Sequence, residues 1–402
     1  MPWRNRSVMD EKVRFVADCL AGDVPMSVLC DRYGISRQTG YLWIGRYLAE
    51  GSSGLEERSR APLRHGRAMP EELARRLMAA RRRKPYWGPR KLLAILADED
   101  PHCPWPSPSA VSDLFRREGL SEPRRRRRRR LACEQPFGSI VKPNDCWCID
   151  FKGWFRTGDG TRCDPLTVTD AHSRYLLDLK IMEPRGEAVA ACMDRLFSEH
   201  GLPRAIRSDN GAPFASIGAG GLTRLSAGWA KLGIRLERIE PGKPQQNGRH
   251  ERMHGTLKAE ACCPPEATAR DQQRRFDAFR HEYNHERPHE ALGQRQPVRI
   301  YRRSPRSLPD RVEGPIYAED EQLRRVRGSG EIKWKGSLLF VSEALIGEMV
   351  ALHEREDGHW VARFADIPLL LIDRNSGKAG RYGPGRPPRS EASRQTEKVS
   401  GM

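Results

Sequence analysis

The chain has 402 residues with 71 Lys/Arg against 53 Asp/Glu, a net charge of +18, which points to a polyanionic partner, most often nucleic acid. Residues 1–143 hold 29 of the Lys/Arg and only 17 of the Asp/Glu, so the basic excess is concentrated there. A hydrophobic content of 38% supports packed cores, no apolar run approaches the roughly 18 residues of a membrane span, the first residues lack the apolar stretch of a signal peptide, and ten irregularly spaced Cys do not make a disulfide scaffold.

Residues 10–50 predict three short helices. Asp10 is a candidate cap for the first, with Val13, Val16 and Leu20 as its apolar stripe. The second runs from about Ser27 to Tyr33, and Gly34 suits the left-handed position that ends it. Ser36 caps a third from Arg37 to about Leu48. This is the helix-turn-helix order. It sets Arg37, Gln38, Thr39 and Tyr41 at the start of the third helix, where base edges are read. Gly51–Gly54 reads as a linker.

A second helical unit follows. Its helices start at Pro70, at Pro89 and at a cap on Ser107 or Ser109. Seven arginines come next: Arg124, Arg125, Arg126, Arg127, Arg128, Arg129 and Arg130. Such a block repels itself, stays extended and suits phosphate contacts without sequence content.

From Asn144 the pattern turns to strands at Cys146–Phe151, Leu166–Thr169 and Tyr175–Ile181. A helix over Ala188–His200, a strand Ala205–Ser208, a helix ending Trp229–Leu232, a strand Arg235–Ile239, a helix Arg249–Cys262 and a last helix over 270–286 complete a mixed α/β layout. Beyond Leu323, five short strand-like runs at close spacing suggest a small β-barrel. The tail from Ser376 has the composition of disorder.

Three carboxylates stand out. Asp150 lies near the end of Cys146-Trp147-Cys148-Ile149-Asp150-Phe151, Asp209 just after a short strand in Ser208-Asp209-Asn210-Gly211, and Glu251 in the first turn of a helix after Pro244-Gln245-Gln246-Asn247-Gly248. Acids at strand ends and a helix start can meet at one sheet edge, where oxygen donors hold Mg²⁺ or Mn²⁺. Two such ions clamp the attacking and leaving oxygens of a phosphodiester.

These stretches, with Thr169-Asp170-Ala171-His172-Ser173-Arg174-Tyr175, Tyr283-Asn284 and Arg287-Pro288-His289, resemble the integrase core shared by retroviral integrases and many bacterial insertion-sequence transposases. The helical units ahead of it fit the transposase branch. The resemblance implies a ribonuclease-H-like α/β core, an Asp-Asp-Glu triad of Asp150, Asp209 and Glu251, two Mg²⁺ or Mn²⁺ ions, and Lys258 on the Glu251 face against the DNA end. It implies a DNA transposase that cuts at transposon ends, joins the 3′-hydroxyl to target DNA, and works as a homo-oligomer in the bacterial cytoplasm, associated with the nucleoid. The alternative is a DNA-binding regulator or an inactive relic, which could dispense with the acids. The 41 residues between Asp209 and Glu251 exceed the usual spacing, with Gly218–Gly221 as the apparent insertion.

The expected organisation is therefore multidomain: a helix-turn-helix domain at 1–52, a second helical DNA-binding domain at 53–122, an Arg-rich linker at 123–143, the α/β ribonuclease-H-like catalytic core at 144–306, a small β-barrel-like domain at 307–375 and a disordered tail at 376–402. Rival motifs are weaker. His250-Glu251-Arg252-Met253-His254 matches the H-E-x-x-H zinc-protease pattern, but without a persuasive third ligand. Asp170 competes with Asp150, although holding the Ser173-Arg174 turn is its better role. Cys146, Cys148 and Cys163 read as reduced thiols before a zinc site. His281, His285 and His289 read as exposed or DNA-facing.

Overall fold

In a computed structural model, residues 7–58, 69–121, 140–239 and 248–382 are described. The Arg124–Arg130 block lies outside them. The chain divides into two compact units, Met1–Pro70 and Glu71–Met402.

The first unit holds α1 (Val8–Ala21), α2 (Met26–Tyr33) and α3 (Arg37–Glu50). Ser7 caps α1, with Asp10 reciprocating in a capping box, so α1 starts earlier than Asp10 alone predicts. Its buried positions are Phe15 and Val16, whereas Val13 and Leu20 are largely exposed. Gly34, at φ 64°, ends α2, and the Ser36 side chain accepts a hydrogen bond from the Thr39 N–H to open α3. Gly40 is a contact the sequence did not advertise. A Cβ there would meet Cys30 Sγ at 2.7 Å and Phe15 at 2.9 Å, so glycine lets α3 cross its neighbours closely. The expected linker is a 3-10 turn, Gly51–Leu55, whose Leu55 is fully buried in the helix-turn-helix core. Leu55 supplies the apolar plug that Val13 and Leu20 do not.

In the second unit, α4 (Glu71–Arg83), α5 (Pro89–Glu99) and α6 (Pro108–Arg117) pack through Leu73, Leu77, Leu92, Leu96, Val111, Leu114 and Phe115. Ser107 is the cap of α6. This helical layer is riveted to the α/β core. Lys84 bridges Glu282 at 2.9 Å and Glu286 at 2.8 Å, Arg90 bridges Glu290 at 2.8 Å, and Arg299 bridges Asp98 at 2.9 Å.

The core strands are β1 (Trp147–Phe151), the short hairpin β2 (Phe155–Arg156) and β3 (Arg162–Cys163), β4 (Pro165–Asp170), β5 (Leu176–Ile181), β6 (Ala205–Ser208) and β7 (Arg235–Arg238). Five of them form one sheet in the order β5-β4-β1-β6-β7. β1 pairs antiparallel with β4 and parallel with β6, and β6 pairs parallel with β7. Three antiparallel strands extended by two parallel ones match the ribonuclease-H-like expectation. The helices are α7 (Gly186–His200), α8 (Arg224–Lys231), α9 (Gly248–Leu257) and α10 (Ala269–His281). The alternation of β1 splits its residues between faces. Trp147, Ile149 and Phe151 face the core formed with Val189, Met193 and Leu196 of α7. Cys146, Cys148 and Asp150 therefore face the other side. Helix α9 is not uniform to its end, because Lys258–Cys262 is a π-helical turn.

The terminal domain has β8 (Gln322–Arg325), β9 (Glu331–Trp334), β10 (Ser337–Phe340), β11 (Met349–Glu354), β12 (Trp360–Phe364), β13 (Ile367–Ile372) and β14 (Ala379–Arg381). The sheet runs β14-β13-β12-β11-β8, with β9 and β10 as a separate hairpin. Among the described residues this is an open antiparallel sheet with two free edges, not a closed barrel. β14 also corrects the expectation of disorder from Ser376, since Ala379–Arg381 pair with β13. Backbone pairing compensates there for a sequence with little to bury.

The insertion before Glu251 has a packing role. Ala219, Leu222, Ala227 and Ala230 share one buried cluster with Val350, Phe364, Leu369 and Leu370 of the terminal sheet, and Lys231 bridges Glu348 at 2.8 Å. Gly220 has φ +61°, and a Cβ there would come within 2.7 Å of Leu369 Cδ2. Gly220→Ala is therefore expected to lower stability by about 1–3 kcal/mol through overpacking, measured by urea denaturation. A loss below a few tenths would mean that the domains do not meet tightly at this glycine.

Candidate active site

Asp150 is the fourth residue of the central strand, opposite Thr167 of β4. Its side chain is only 25% exposed. Burial is the main reason that its carboxyl is pushed up to about 7, and the charges of Asp209 and Glu251 raise it further. The three sequence-predicted acids thus meet electrostatically, although the segment 240–247 before Glu251 is outside the described residues. Asp209 follows β6, and its Oδ1 accepts from the Gly211 N–H at 3.2 Å, which fixes the carboxylate in its turn. Glu251 is exposed in the first turn of α9, and Lys258, also exposed, lies two turns further on.

Asp209 and Glu251 add negative charge beside the buried Asp150, and a cation relieves such a site. The donor set, carboxylates backed by imidazoles, suits a divalent ion. Without a cation, Asp150 weakens the fold above neutral pH. Its folded value lies above the ordinary 3.8, so its contribution to stability is complete below about pH 4 and is lost as pH rises through 7. Melting of ion-free protein should therefore show Asp150→Asn more stable than wild type at pH 8, by up to about 4 kcal/mol, with the gain shrinking toward pH 4. A gain independent of pH would disprove the raised proton affinity of Asp150.

The H-E-x-x-H residues do not form the expected rival. His250 and His254 do share one face of α9, and with Asp150 they offer ligand atoms within 4.8 Å of one another. But both ring nitrogens of His250 are engaged, Nε2 with Thr167 Oγ1 at 2.8 Å and Nδ1 with Thr169 Oγ1 at 2.9 Å. Burial holds both imidazoles well below their usual range, His254 at about 4, where the Lys152 charge adds to the effect. This threonine–histidine network was missed from sequence. Its signal was there: Thr167 and Thr169 alternate on one strand face, and His250 and His254 sit four apart on a helix.

Asp170 has the structural role expected of it. It is buried and accepts from the Asn144 N–H at 2.7 Å, the Ser173 N–H at 2.7 Å and the Ser173 hydroxyl at 2.6 Å. Beside the acids, on the same sheet face, lies a buried ion pair of Arg207 and Glu237 at 2.8 Å, each side chain under a tenth exposed. Cys146, Cys148 and Cys163 are buried free thiols. His281 and His285 are exposed, but His289 is half-buried edge-on to Tyr283 at 4.7 Å, because the chain turns inward after Pro288. Of the helix-turn-helix candidates, Arg37, Gln38 and Tyr41 are exposed, whereas Thr39 is half-buried and its hydroxyl bonds that of Ser36 at 2.8 Å. A cleft of about 940 Å³ among the described residues is lined by none of the three acids; it lies between α5, α6 and the core, with Arg81, Arg90, Lys91, Arg116 and Arg287 on its walls.

Comparison with known proteins agrees with this layout. Models described as integrase core domain match residues 141–244 and 232–297. A helix-turn-helix domain matches residues 11–62 and a homeodomain-like domain residues 39–115. The class is thus an integrase-core protein with DNA-binding helical units ahead of it. Its relatives include an uncharacterized 31.7 kDa protein of insertion element IS407 from Burkholderia multivorans, 31% identical over 55% of this chain and 78% of the relative. A second is an uncharacterized 39.2 kDa protein of insertion element IS476 from Xanthomonas euvesicatoria, 29% identical over 57% of this chain and 64% of the relative. Similar solved structures include the HTLV-2 integrase catalytic core with magnesium, TM-score 0.32 and 14% identity over 40% of this chain and 99% of that one. The BIV integrase core has TM-score 0.30 and 21% identity over 39% and 93%. The chain belongs to the insertion-element DNA transposases built on the integrase core. No described helix is long and apolar enough to cross a membrane.

Proposed function

We propose that Asp150, Asp209 and Glu251 are the catalytic triad of this transposase, acting on the phosphodiester at the element's end and then on target DNA. The supporting observation is that the charges of Asp209 and Glu251 both act on the half-buried carboxyl of Asp150 in the central strand. Asp150, which feels the charge of both other acids, would hold both divalent ions, with Asp209 on one and Glu251 on the other. When bound, such ions, Mg²⁺ or Mn²⁺, activate the attacking oxygen and stabilise the leaving one. The chain's own residues supply the frame. The Gly211 N–H restrains Asp209, and β1 fixes Asp150 against β4. Lys258 contacts the DNA end from the exposed side of the helix that carries Glu251.

Water attacks the phosphodiester at the element's end, freeing the element's 3′-hydroxyl and leaving a 5′-phosphate on the flanking DNA; that hydroxyl then attacks a target phosphodiester, forming the new link and expelling a target 3′-hydroxyl. Arg37, Gln38 and Tyr41 read the element's end, while the Arg124–Arg130 block and the terminal sheet add phosphate contacts. Two ends must be held together, so the working species is a homo-oligomer on DNA. The test is to incubate oligonucleotides copied from the DNA flanking the gene with plasmid target and Mg²⁺ or Mn²⁺. Joined product that disappears in EDTA is expected. Joining that persists in EDTA would remove the metal-dependent reading.

A further inference from the structure

This inference rests on the reading of Asp150 as an ion-binding carboxylate, and concerns His254, to which that reading gives no task. Thr167 Oγ1 donates its hydrogen to the Asp150 carbonyl at 3.0 Å. The Nε2 atoms of His250 and His254 each lie 2.8 Å from the same oxygen. A hydroxyl has one hydrogen and two lone pairs. With the hydrogen given away, both Nε2 atoms must donate. His254 therefore carries its proton on Nε2 and leaves Nδ1 with a lone pair.

That Nδ1 faces Asp150 Oδ2 at 3.9 Å, beyond hydrogen-bond reach. Two ligand bonds of about 2.1 Å each span such a gap. His250 differs, because its Nδ1 is already taken by Thr169 Oγ1 at 2.9 Å. An imidazole that binds a metal holds its tautomer by donating its other N–H to an oxygen. Thr167 does this for His254. The ring is also fixed in place, with the His250 and His254 centroids 4.6 Å apart.

We propose that His254 Nδ1 joins Asp150 as a direct ligand of one divalent ion, so that this ion sits in a mixed nitrogen and oxygen site. Both ions favour oxygen, but Mg²⁺ dehydrates reluctantly and keeps its waters, whereas Mn²⁺, at the weak end of the first-row series that binds nitrogen sites, gives up a water to an imidazole more readily. His254 thus sets the metal preference of the site toward Mn²⁺.

The test uses the full chain with Mn²⁺ and electron spin-echo envelope modulation, in natural-abundance and ¹⁵N-histidine protein. The expected result is an imidazole nitrogen coupling on bound Mn²⁺ that is lost in His254→Gln, with Mn²⁺ affinity reduced about tenfold and Mg²⁺ affinity changed less. Thr167→Val keeps the volume, frees the tautomer and should weaken Mn²⁺ binding in the same direction. Two results would overturn the proposal alone: no nitrogen coupling on Mn²⁺ whose binding is lost in Asp150→Asn, or a coupling that persists in His254→Gln. Either would leave His254 as a packing residue and the triad intact. Mn²⁺ binding unchanged in Asp150→Asn would instead remove the triad reading, and this proposal with it.

Discussion

Asp150→Asn is expected to lower strand joining by at least about a thousandfold while leaving end binding unchanged, the size of effect expected when charge stabilisation of a transition state is removed. The substitution keeps volume and strand geometry. Thr167 bonds the Asp150 backbone carbonyl, not its carboxylate, so the β1–β4 register survives. What goes is the negative charge between Asp209 and Glu251. Because the three acids serve one step, their losses should not add, and Asp150→Asn with Asp209→Asn should be little worse than either alone. Joining would be scored on gels from paired oligonucleotides, and binding by fluorescence anisotropy of the same duplex. A variant that joins within tenfold of wild type would dismiss Asp150 as a catalytic group.

Glu237→Ala is expected to destabilise the fold by about 3–5 kcal/mol, because it removes one member of a buried ion pair. Arg207 Nη2 and Nε lie 2.8 and 3.1 Å from Glu237 Oε2, and Arg207 is 2% exposed. Removing both charges should be far milder. Arg207→Met with Glu237→Leu is expected to be near neutral or stabilising, since hydrophobic replacements of buried pairs often are. Urea denaturation of the single and double variants closes the cycle. A loss under about 1 kcal/mol for Glu237→Ala would put the pair in the class of solvent-screened bridges.

What the sequence disclosed followed the range of its physics. Helix ends depend on residues a few positions apart, so Gly34, Ser36 and Ser107 could be read directly. Strand β1 was legible because Trp147 and Ile149 alternate with Cys148 and Asp150. The three acids came from the resemblance as much as from position, because β1, β6 and α9 are brought together only by the sheet. Contacts across long separations were silent. Nothing local says that Leu55 turns back into the first core, or that Arg207 and Glu237 neutralise each other across β6 and β7. Thr39 bonds the capping Ser36 as well as standing among the expected base readers, because a cap and a base-reading position draw on the same residue types. His289, expected to be exposed or DNA-facing, is half-buried against Tyr283 because the chain turns inward after Pro288, which no local pattern announces.

The small residues around Gly220 carry a consequence for dissecting the molecule. Ala219, Leu222, Ala227 and Ala230 are covered by the terminal sheet, so cutting the chain after residue 306 would strip an apolar face of the core bare. Such a fragment should be prone to self-association. Its poor behaviour would reflect an unsheltered seam, and would say nothing against the chemistry of the acids. A minimal soluble enzyme needs to keep the chain through Arg381, or to replace Leu222 with a polar residue.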